Sequence, residues 1–123
     1  MEYNYKLISE FKIIKVTVKG DISAEETALM GKTIRVKAKE IDYKIFFDLV
    51  QTRNRISIFE AYSWFADHYD KIDVKLRYIP TAYLSNEKDR DFFRFFETTC
   101  LNKGIRVRMF MEMDKAMEWL KPI

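Results

Sequence analysis

The chain has 123 residues, 48% hydrophobic and 15% aromatic, which is enough for one well-filled hydrophobic core and too little for two. Its 22 Lys and Arg residues stand against 19 Asp and Glu, and the net charge of +3 is spread in mixed-sign runs, which excludes a basic tail. A single cysteine excludes an internal disulfide framework, and no apolar run approaches the roughly 18 residues of a membrane span, so we expect one domain over residues 1–123.

The first two predicted elements are strands joined by a hairpin. Residues 3–8 form the first, and residues 11–19 form the second, in which Ile and Val alternate with Lys and Thr from position 14 onward. Period two is typical of a strand with one face in the core and the other in solvent. Ser9 and Glu10 lie between the runs, and so short a connection favours an antiparallel pair. The glycine at position 20 and the aspartate after it end the second strand.

Two capping boxes predict the starts of two helices. In each, a serine is followed three residues later by a glutamate: Ser23 by Glu26, and Ser57 by Glu60. The serine oxygen accepts the amide of the third helical residue, and the glutamate reaches back to the serine amide. The predicted apolar faces are Met30, Ile34, Ala38 and Ile41 in the first helix, and Ala61, Trp64, Phe65 and His68 or Tyr69 in the second. Gly31 lowers the stability of the first helix by about 1 kcal/mol relative to Ala. We expect a close contact between helix and sheet to explain why a glycine stands there.

The central element is the near-continuous apolar run Tyr43–Val50, which lies between these two helices. A run that is apolar on both faces predicts a buried strand with a layer of helices on each side. Because successive side chains of a strand point to opposite faces, we expect Ile45 and Phe47 to face one helical layer and Phe46 the other.

Two more strands are predicted in the second half of the chain. The candidate from Lys75 to Leu84 contains Pro80, which has no amide donor, so we place Pro80 at a strand start or bulge with residues 81–84 paired. Residues 105–111 alternate in the manner of a strand near a sheet edge.

Two more helices accompany these strands. The third helix has its N-cap region at Ser85 and Asn86 and stops before Gly104, and the fourth is capped by Asp114 and ended by Pro122. Their apolar faces are Phe92, Phe93, Phe96, Cys100 and Leu101 in the third helix, and Ala116, Trp119 and Leu120 in the fourth. The element order predicts an α/β fold, with a mixed, mostly parallel sheet of about five strands opened by an antiparallel hairpin, and four helices.

The element order and two stretches of sequence, 44–49 and 108–120, resemble the STAS-like families. These are relatives of the sulfate-transporter and anti-sigma-factor-antagonist domain, and they include bacterial stand-alone proteins grouped with lipid-binding CRAL-TRIO domains. The shared motifs are a strand ending in Asp-Leu and a last strand running into Ala-x-x-Trp-Leu. The resemblance covers nearly the whole chain, and it implies a STAS-like fold over residues 1–123 and a small regulatory or binding role.

The phosphorylated serine of anti-sigma-factor antagonists has a positional counterpart here. In those proteins the serine lies in an Asp-Ser-Ser-Gly motif at the start of the helix after the Asp-Leu strand, and counting on from Asp48 the position falls at Ser57. This chain reads Ile-Ser-Ile-Phe from position 56, without the aspartate, the second serine or the glycine. The resemblance therefore does not imply a phosphoswitch, and we predict that Ser57 is a helix cap.

A candidate contact site follows the central strand and comprises Gln51, Arg53, Arg55 and Ser57. Open α/β sheets place ligands at the carboxyl ends of their strands, and a helix N-terminus favours anions. The two arginines are therefore candidates for contact with an anion or a protein partner, and the alternative is that they are solvated loop charges.

No catalytic, metal-binding or cofactor signature is present in the sequence. Asp48, His68 and Ser57 are isolated from any second base, nucleophile or ligand, and Cys100 is most simply a core residue. Four methionines are suited to an adaptable pocket, although core packing is the simpler explanation: Met109, Met111, Met113 and Met117. Nucleic-acid binding is a further possibility, which a net charge of only +3 supports weakly. The arginines that suggest it are Arg53, Arg55, Arg106 and Arg108.

The leading hypothesis is a non-catalytic STAS-like binding or regulatory module for a protein partner or an apolar small molecule. The alternatives are a small enzyme of unknown reaction and a weak nucleic-acid binder. The first residues lack the apolar core of a signal peptide, so we expect a cytoplasmic protein. The residues specify neither the ligand nor the oligomeric state, and a homo-oligomer is one of the alternatives.

Overall fold

The computed structural model describes residues 1–68 and 71–121, which hold one five-stranded sheet and five helices. The strands are β1 (Glu2–Ile8), β2 (Ile13–Ile22), β3 (Lys44–Asn54), β4 (Thr81–Leu84) and β5 (Val107–Phe110). The helices are α1 (Ala24–Ile41), α2 (Ile58–His68), α3 (Val74–Arg77), α4 (Arg90–Asn102) and α5 (Met113–Leu120). Sheet order follows chain order, with β1 antiparallel to β2 and all other pairs parallel. The predicted mixed α/β sheet is confirmed, with the short α3 as an additional helix.

The central strand β3 divides the core into two layers. Ile45 and Phe47 belong to a large cluster with the apolar faces of α1, α2 and α4, whereas Phe46 packs on the opposite face of the sheet with Ala116 and Leu120 of α5. Each of these five side chains is at most 1% exposed. The predicted alternation of the three β3 residues is therefore confirmed, and one face of the sheet carries most of the helices.

Both predicted capping boxes lie at helix starts. The Glu60 amide donates to Ser57 Oγ at 3.0 Å and the Ser57 amide donates to Glu60 Oε1 at 3.1 Å, which is the complete reciprocal pair. At α1 the Glu26 amide donates to Ser23 Oγ at 3.3 Å, and the Ser23 hydroxyl donates to the Glu26 carboxylate. The expectation for Gly31 was wrong. Its near neighbour is a guanidinium on its own helix, and the sheet does not come within 4 Å of a Cβ placed there.

The connection between β1 and β2 is longer than predicted, and so is β2 itself. The connection between β1 and β2 runs from Ser9 to Lys12, two residues longer than expected, because Lys12 takes a left-handed conformation with φ of 55° and only Ile13 resumes the pairing. The second strand also continues past Gly20 to Ile22, since that segment pairs with the extended end of β3. Strand length here is set by a partner that is distant in sequence.

The predicted strand over residues 81–84 is confirmed, while two predicted helix starts in the second half of the chain were wrong. Pro80 directly precedes β4 as predicted, and residues 74–77, most of which belonged to the wider strand candidate, form α3. Helix α4 begins at Arg90 rather than after residues 85 and 86. Helix α5 has Glu112 at its N-cap, so Asp114 lies in its first turn. Tyr69, among the candidates for the α2 face, and Pro122, the predicted stop of α5, fall outside the described residues.

No helix in residues 1–68 and 71–121 combines the length and the apolar composition that crossing a membrane requires.

Candidate functional site

The carboxyl end of β3 is shaped by a β-bulge. The pairing with β2 shifts between Thr17 and Lys19, whose partners are Asp48 and Gln51, so β3 carries one extra residue there. The Asp48 carboxylate accepts the Val50 amide at 3.1 Å within this bulge. Beyond the bulge Gln51 and Arg53 are exposed, whereas Thr52 between them is buried and its hydroxyl donates to the Leu49 carbonyl at 2.7 Å.

The loop after β4 is fastened to this bulge by Asn86. Its side-chain amide donates to three β3 carbonyls, those of Leu49 at 3.4 Å, Val50 at 3.3 Å and Thr52 at 2.9 Å. Its carbonyl oxygen accepts the Asp89 amide at 2.9 Å. Predicted as part of a helix cap, Asn86 in fact holds the ends of two strands together.

The residues of the predicted contact site lie near one another along the chain but have different surroundings. Gln51 and Arg53 are exposed and line an open cavity of about 510 Å³, whose charged residues also include Asp21, Glu87 and Lys88. Two acids therefore face two bases, a balance that gives no net attraction for an anion.

Arg55 and Ser57 have local partners. Arg55 Nε lies 3.0 Å from the carboxylate of Asp21 in an ion pair with both side chains about half exposed. Ser57 is engaged with Glu60 in its capping box. The structure thus brings Gln51 and Arg53 into one cavity and places the other two predicted residues beside it.

A larger cavity, which the sequence did not predict, lies between the sheet and helices α1, α2 and α4. It has a volume of about 690 Å³, and we call it the interhelix cavity. Aliphatic and aromatic side chains make up most of its lining, and the aromatic ones are Phe47, Trp64, Phe65, Tyr83, Phe92, Phe93 and Phe96. Tyr83 stacks on Phe47 with ring centroids 5.2 Å apart and meets Phe96 edge-on at 5.4 Å. The four methionines proposed for a pocket do not line it, whereas Met30 does.

Part of the polar lining of the interhelix cavity lies along one face of α1. Thr27, Gly31 and Arg35 are spaced four residues apart and so lie on the same face of the helix. Arg35 Nη2 donates to the Tyr83 hydroxyl at 3.4 Å. Thr27 Oγ1 is buried and has no hydrogen-bond partner among the described residues. The α1 wall of this mostly apolar cavity therefore carries a row of hydrogen-bonding groups.

Two groups that line the cavity, the Cys100 thiol and the Tyr83 phenol, have raised pKa values. Burial raises the pKa of the Cys100 thiol to about 12, against the lowering effect of the Arg35 charge. Burial also raises the pKa of the Tyr83 phenol. Both groups are therefore neutral near pH 7, and a neutral buried thiol is a poor nucleophile.

The isolated polar residues that an enzyme would use are bound to nearby backbone. His68 Nδ1 lies 3.0 Å from the Trp64 carbonyl oxygen, and the Asp48 carboxylate accepts an amide of its own strand. Within the ranges 1–68 and 71–121 no group of three or more His, Cys, Asp and Glu side chains is placed to hold a metal ion.

The four arginines considered for nucleic-acid binding lie at two ends of the sheet. Arg106 directly precedes β5. The first residue of β5, Val107, pairs with Thr81 of β4, and Thr81 pairs with Ile45 near the start of β3, so Arg106 lies at that end of the sheet. Arg53 lies near the far end of β3, eight residues beyond Ile45. At about 3.3 Å per strand residue this separation exceeds 20 Å, so these arginines do not form a single basic patch.

Known proteins resemble this chain in fold rather than in sequence. No family model matches the chain, and no curated protein does. An uncharacterized protein with a SpoIIAA-like fold from Shewanella loihica PV-4 has a TM-score of 0.54 at 10% identity, over 97% of this chain and 92% of that chain. An anti-sigma factor antagonist from Mycobacterium paratuberculosis has a TM-score of 0.55 at 10% identity, over 97% of this chain and 94% of that chain. This chain therefore has the STAS-like, SpoIIAA-like fold that its central and closing stretches predicted.

Proposed function

We propose that the protein is a non-catalytic binding module whose ligand is an apolar small molecule held in the interhelix cavity. The observation that carries this proposal is the cavity itself, about 690 Å³ in volume and lined mostly by aromatic and aliphatic side chains. Small-molecule sites in proteins are typically clefts or cavities of about 300–1,000 Å³ with apolar walls and a few polar groups. Protein interiors are otherwise close-packed, so a space of this size beside a fully buried strand favours a ligand.

The chemistry of the lining supports binding rather than catalysis. The thiol of Cys100 is protonated at neutral pH because burial raises its pKa to about 12. An enzyme needs an acid, base or nucleophile positioned against a second such group. Since Cys100 is a free thiol, a reducing cytoplasm is the compartment that we propose.

A second candidate function is the recognition of a protein partner at the start of α2. Three large apolar side chains are exposed there, Ile58 at 56%, Phe59 at 77% and Tyr62 at 64%. They follow on the predicted contact residues at the end of β3 and in the connection to α2, so that exposed apolar side chains lie next to charged ones. Aromatic residues within a polar rim are characteristic of protein interfaces. The anti-sigma factor antagonist of the same fold is an analogy that supports a regulatory partner.

The cavity proposal is tested with an intrinsic fluorescent reporter. The chain has two tryptophans, and Trp64 lines the interhelix cavity whereas Trp119 packs on the other face of the sheet. In a Trp119→Phe background, titration with 1-decanol should change the Trp64 emission saturably. Native mass spectrometry of the protein purified from its cell should show a bound small molecule.

A pair of alanine variants supplies the control. Ala28 lines the cavity and Ala66 is exposed on α2 outside it. Ala28→Phe should fill the space and abolish the Trp64 response, and Ala66→Phe should leave it intact. The proposal is overturned if decanol produces no saturable response in the parent, or if the two variants respond alike.

A further inference from the structure

We propose that the ligand of the interhelix cavity is an amphiphile with a carboxylate head, and that Arg35 and Tyr83 receive this carboxylate. The inference rests on the proposed function and names the chemical class of its ligand. The remainder of the ligand is an apolar chain or ring system that lies among the aromatic side chains.

The first argument is that Arg35 has no anionic partner within residues 1–68 and 71–121. It lines the cavity, and its hydrogen bond is to the neutral Tyr83 hydroxyl at 3.4 Å. No carboxylate among the described residues forms an ion pair with it. A guanidinium presents five donors in a planar fork that matches the two oxygens of a carboxylate, so most of its hydrogen-bonding capacity remains for a ligand.

The second argument is that the helix leaves room for this guanidinium. A Cβ on Gly31 would lie 3.1 Å from Arg35 Nη1, closer than an ordinary van der Waals contact. Glycine costs a helix about 1 kcal/mol relative to alanine, and at this position it lets the Arg35 side chain lie back along α1. The residue one turn before Gly31 is Thr27, whose buried hydroxyl has no partner among residues 1–68 and 71–121, and it adds a second polar group on the same face.

The third argument concerns the Tyr83 hydroxyl. It accepts the hydrogen bond of Arg35, so its own proton is available to donate to an acceptor in the cavity. The ring is held by stacking on Phe47 and by the edge-on contact with Phe96. Burial raises the pKa of the phenol, which therefore stays protonated at neutral pH. A guanidinium and a hydroxyl donor side by side are complementary to the two oxygens of one carboxylate.

The fourth argument is the sign of the charge around the cavity. Its described lining includes the cationic side chains Lys32, Arg35 and Lys71 against one acidic side chain, Asp73, while Arg77 also lines it and donates to the Ile72 carbonyl at 3.0 Å. Charges of one sign along an apolar cleft attract ligands of the other sign. A cationic or zwitterionic ligand is therefore disfavoured relative to an anionic one of the same apolar body.

The test compares decanoate with 1-decanol, which have chains of the same length and differ in the head group. Both are titrated into the Trp119→Phe protein at pH 7, with Trp64 emission as the readout. Decanoate should bind about tenfold more tightly or better, since hydrogen bonds to a charged group are stronger than neutral ones. Arg35→Met should reduce this preference to about one, while decanol affinity changes by no more than about threefold.

Two further variants guard against a folding defect and a general charge effect. Tyr83→Phe retains the ring contacts and should lower decanoate affinity without altering that for decanol. Lys39→Met removes an exposed cation of α1 that does not line the cavity and should leave the preference in place.

Each outcome of this titration is informative. Equal binding of the two amphiphiles to the parent protein overturns the carboxylate assignment and leaves the apolar cavity proposal standing. Binding of neither overturns the proposed function itself. Decyl phosphate binding more tightly than decanoate, with the same dependence on Arg35, overturns the assignment in favour of a phosphate head.

Discussion

Arg35 of α1 and Tyr83 of β4 are 48 positions apart in the chain and meet in a hydrogen bond of 3.4 Å between Nη2 and the phenol oxygen. Their meeting depends on the register of the sheet, because β4 pairs with β3 so that Tyr83 lies beside Phe47. The ring and the hydroxyl of this tyrosine therefore have separate roles, one in the aromatic packing and one in the polar wall of the cavity.

The two roles of Tyr83 can be separated by substitution. Tyr83→Phe removes only the hydroxyl and should lower the free energy of unfolding by about 1 kcal/mol. Tyr83→Ala also removes the ring, which is 8% exposed, and should cost about 3–5 kcal/mol. Urea denaturation followed by circular dichroism measures both. Equal losses in the two variants would contradict the packing role of the ring.

Phe46 offers a test of the opposite layer. Its side chain is 0% exposed and packs against α5, so Phe46→Ala should cost about 3–5 kcal/mol, a large part of the stability of a small domain. Phe59 is exposed, and Phe59→Ala is the matched control, which should change stability by no more than about 0.5 kcal/mol. A denaturation midpoint that Phe46→Ala leaves unchanged is incompatible with the central position of β3.

The fold was predictable where local pattern and tertiary packing agree. The apolar run of β3 and the serine–glutamate pairs of α1 and α2 each specify their element from neighbouring residues, and the structure contains all of them. The prediction failed where a distant partner decides. Asn86 looks like a helix cap in sequence, and its side-chain oxygen does accept the Asp89 amide, but its side-chain nitrogen donates to carbonyls of β3 more than 30 positions earlier.

Cys100 predicts a specific dependence of stability on pH. The pKa of this thiol is about 12 in the folded protein, above its ordinary value of 9.0, so the folded state holds the proton more tightly than the unfolded state. The contribution of the thiol is fully present below pH 9 and is lost as the pH rises toward 12, at up to about 1.4 kcal/mol per pH unit.

Comparison with Cys100→Ala isolates this contribution from the other groups that titrate in alkali. Urea midpoints of the parent and the variant are measured at pH 8 and pH 10.5, and the parent should lose more stability between them. Cys100 contributes to the raised pKa of Tyr83, so both proteins are compared in a Tyr83→Phe background, which removes the phenol from the difference. An identical pH dependence in the two proteins would falsify the assignment of a raised pKa to the thiol.

The protein-partner candidate predicts a binding defect without a folding defect. Arg53 and Arg55 are exposed, and the ion pair of Arg55 with Asp21 is a surface pair worth at most about 1 kcal/mol. Arg53→Glu with Arg55→Glu should therefore weaken partner binding and leave the protein folded. Arg106→Glu with Arg108→Glu makes the same change of charge at the other end of the sheet and should bind as the parent does. Equal affinities of the two double variants would place the contact elsewhere.

The candidate sites differ in how far the sequence could predict them. The edge of the sheet that carries the first site was predicted from the general placement of ligands at the carboxyl ends of parallel strands, but the predicted loop from Gln51 was wrong, because pairing with β2 extends β3 to Asn54. The interhelix cavity was not predicted, because it depends on how α1, α2 and α4 pack together. The one indication of it in the sequence was the spacing of Thr27, Gly31 and Arg35. These residues share a helix face, and the glycine, having no side chain, leaves a gap between two polar residues on that face.

Ser57 is predicted to be a structural cap. Its hydroxyl accepts the Glu60 amide at 3.0 Å and its amide donates to the Glu60 carboxylate at 3.1 Å, so both halves of the capping box are formed. Ser57→Ala should lower stability by about 0.5–2 kcal/mol, and Ser57→Asp, which keeps a capping oxygen, should recover most of that loss. Ser63→Ala, within the same helix, is the control and should not destabilise the protein, because alanine is the stronger helix former.

The alternative role of Ser57 as a phosphate acceptor competes for the same oxygen. A kinase needs the hydroxyl free, whereas the cap holds it against the first turn of α2. A phosphate at a helix N-terminus is electrostatically acceptable, so the distinction has to be made by measurement. Phosphopeptide mapping of protein purified from its own cells should find Ser57 unmodified. Substantial phosphate on Ser57 would overturn the structural role and make α2 part of a phosphorylation switch.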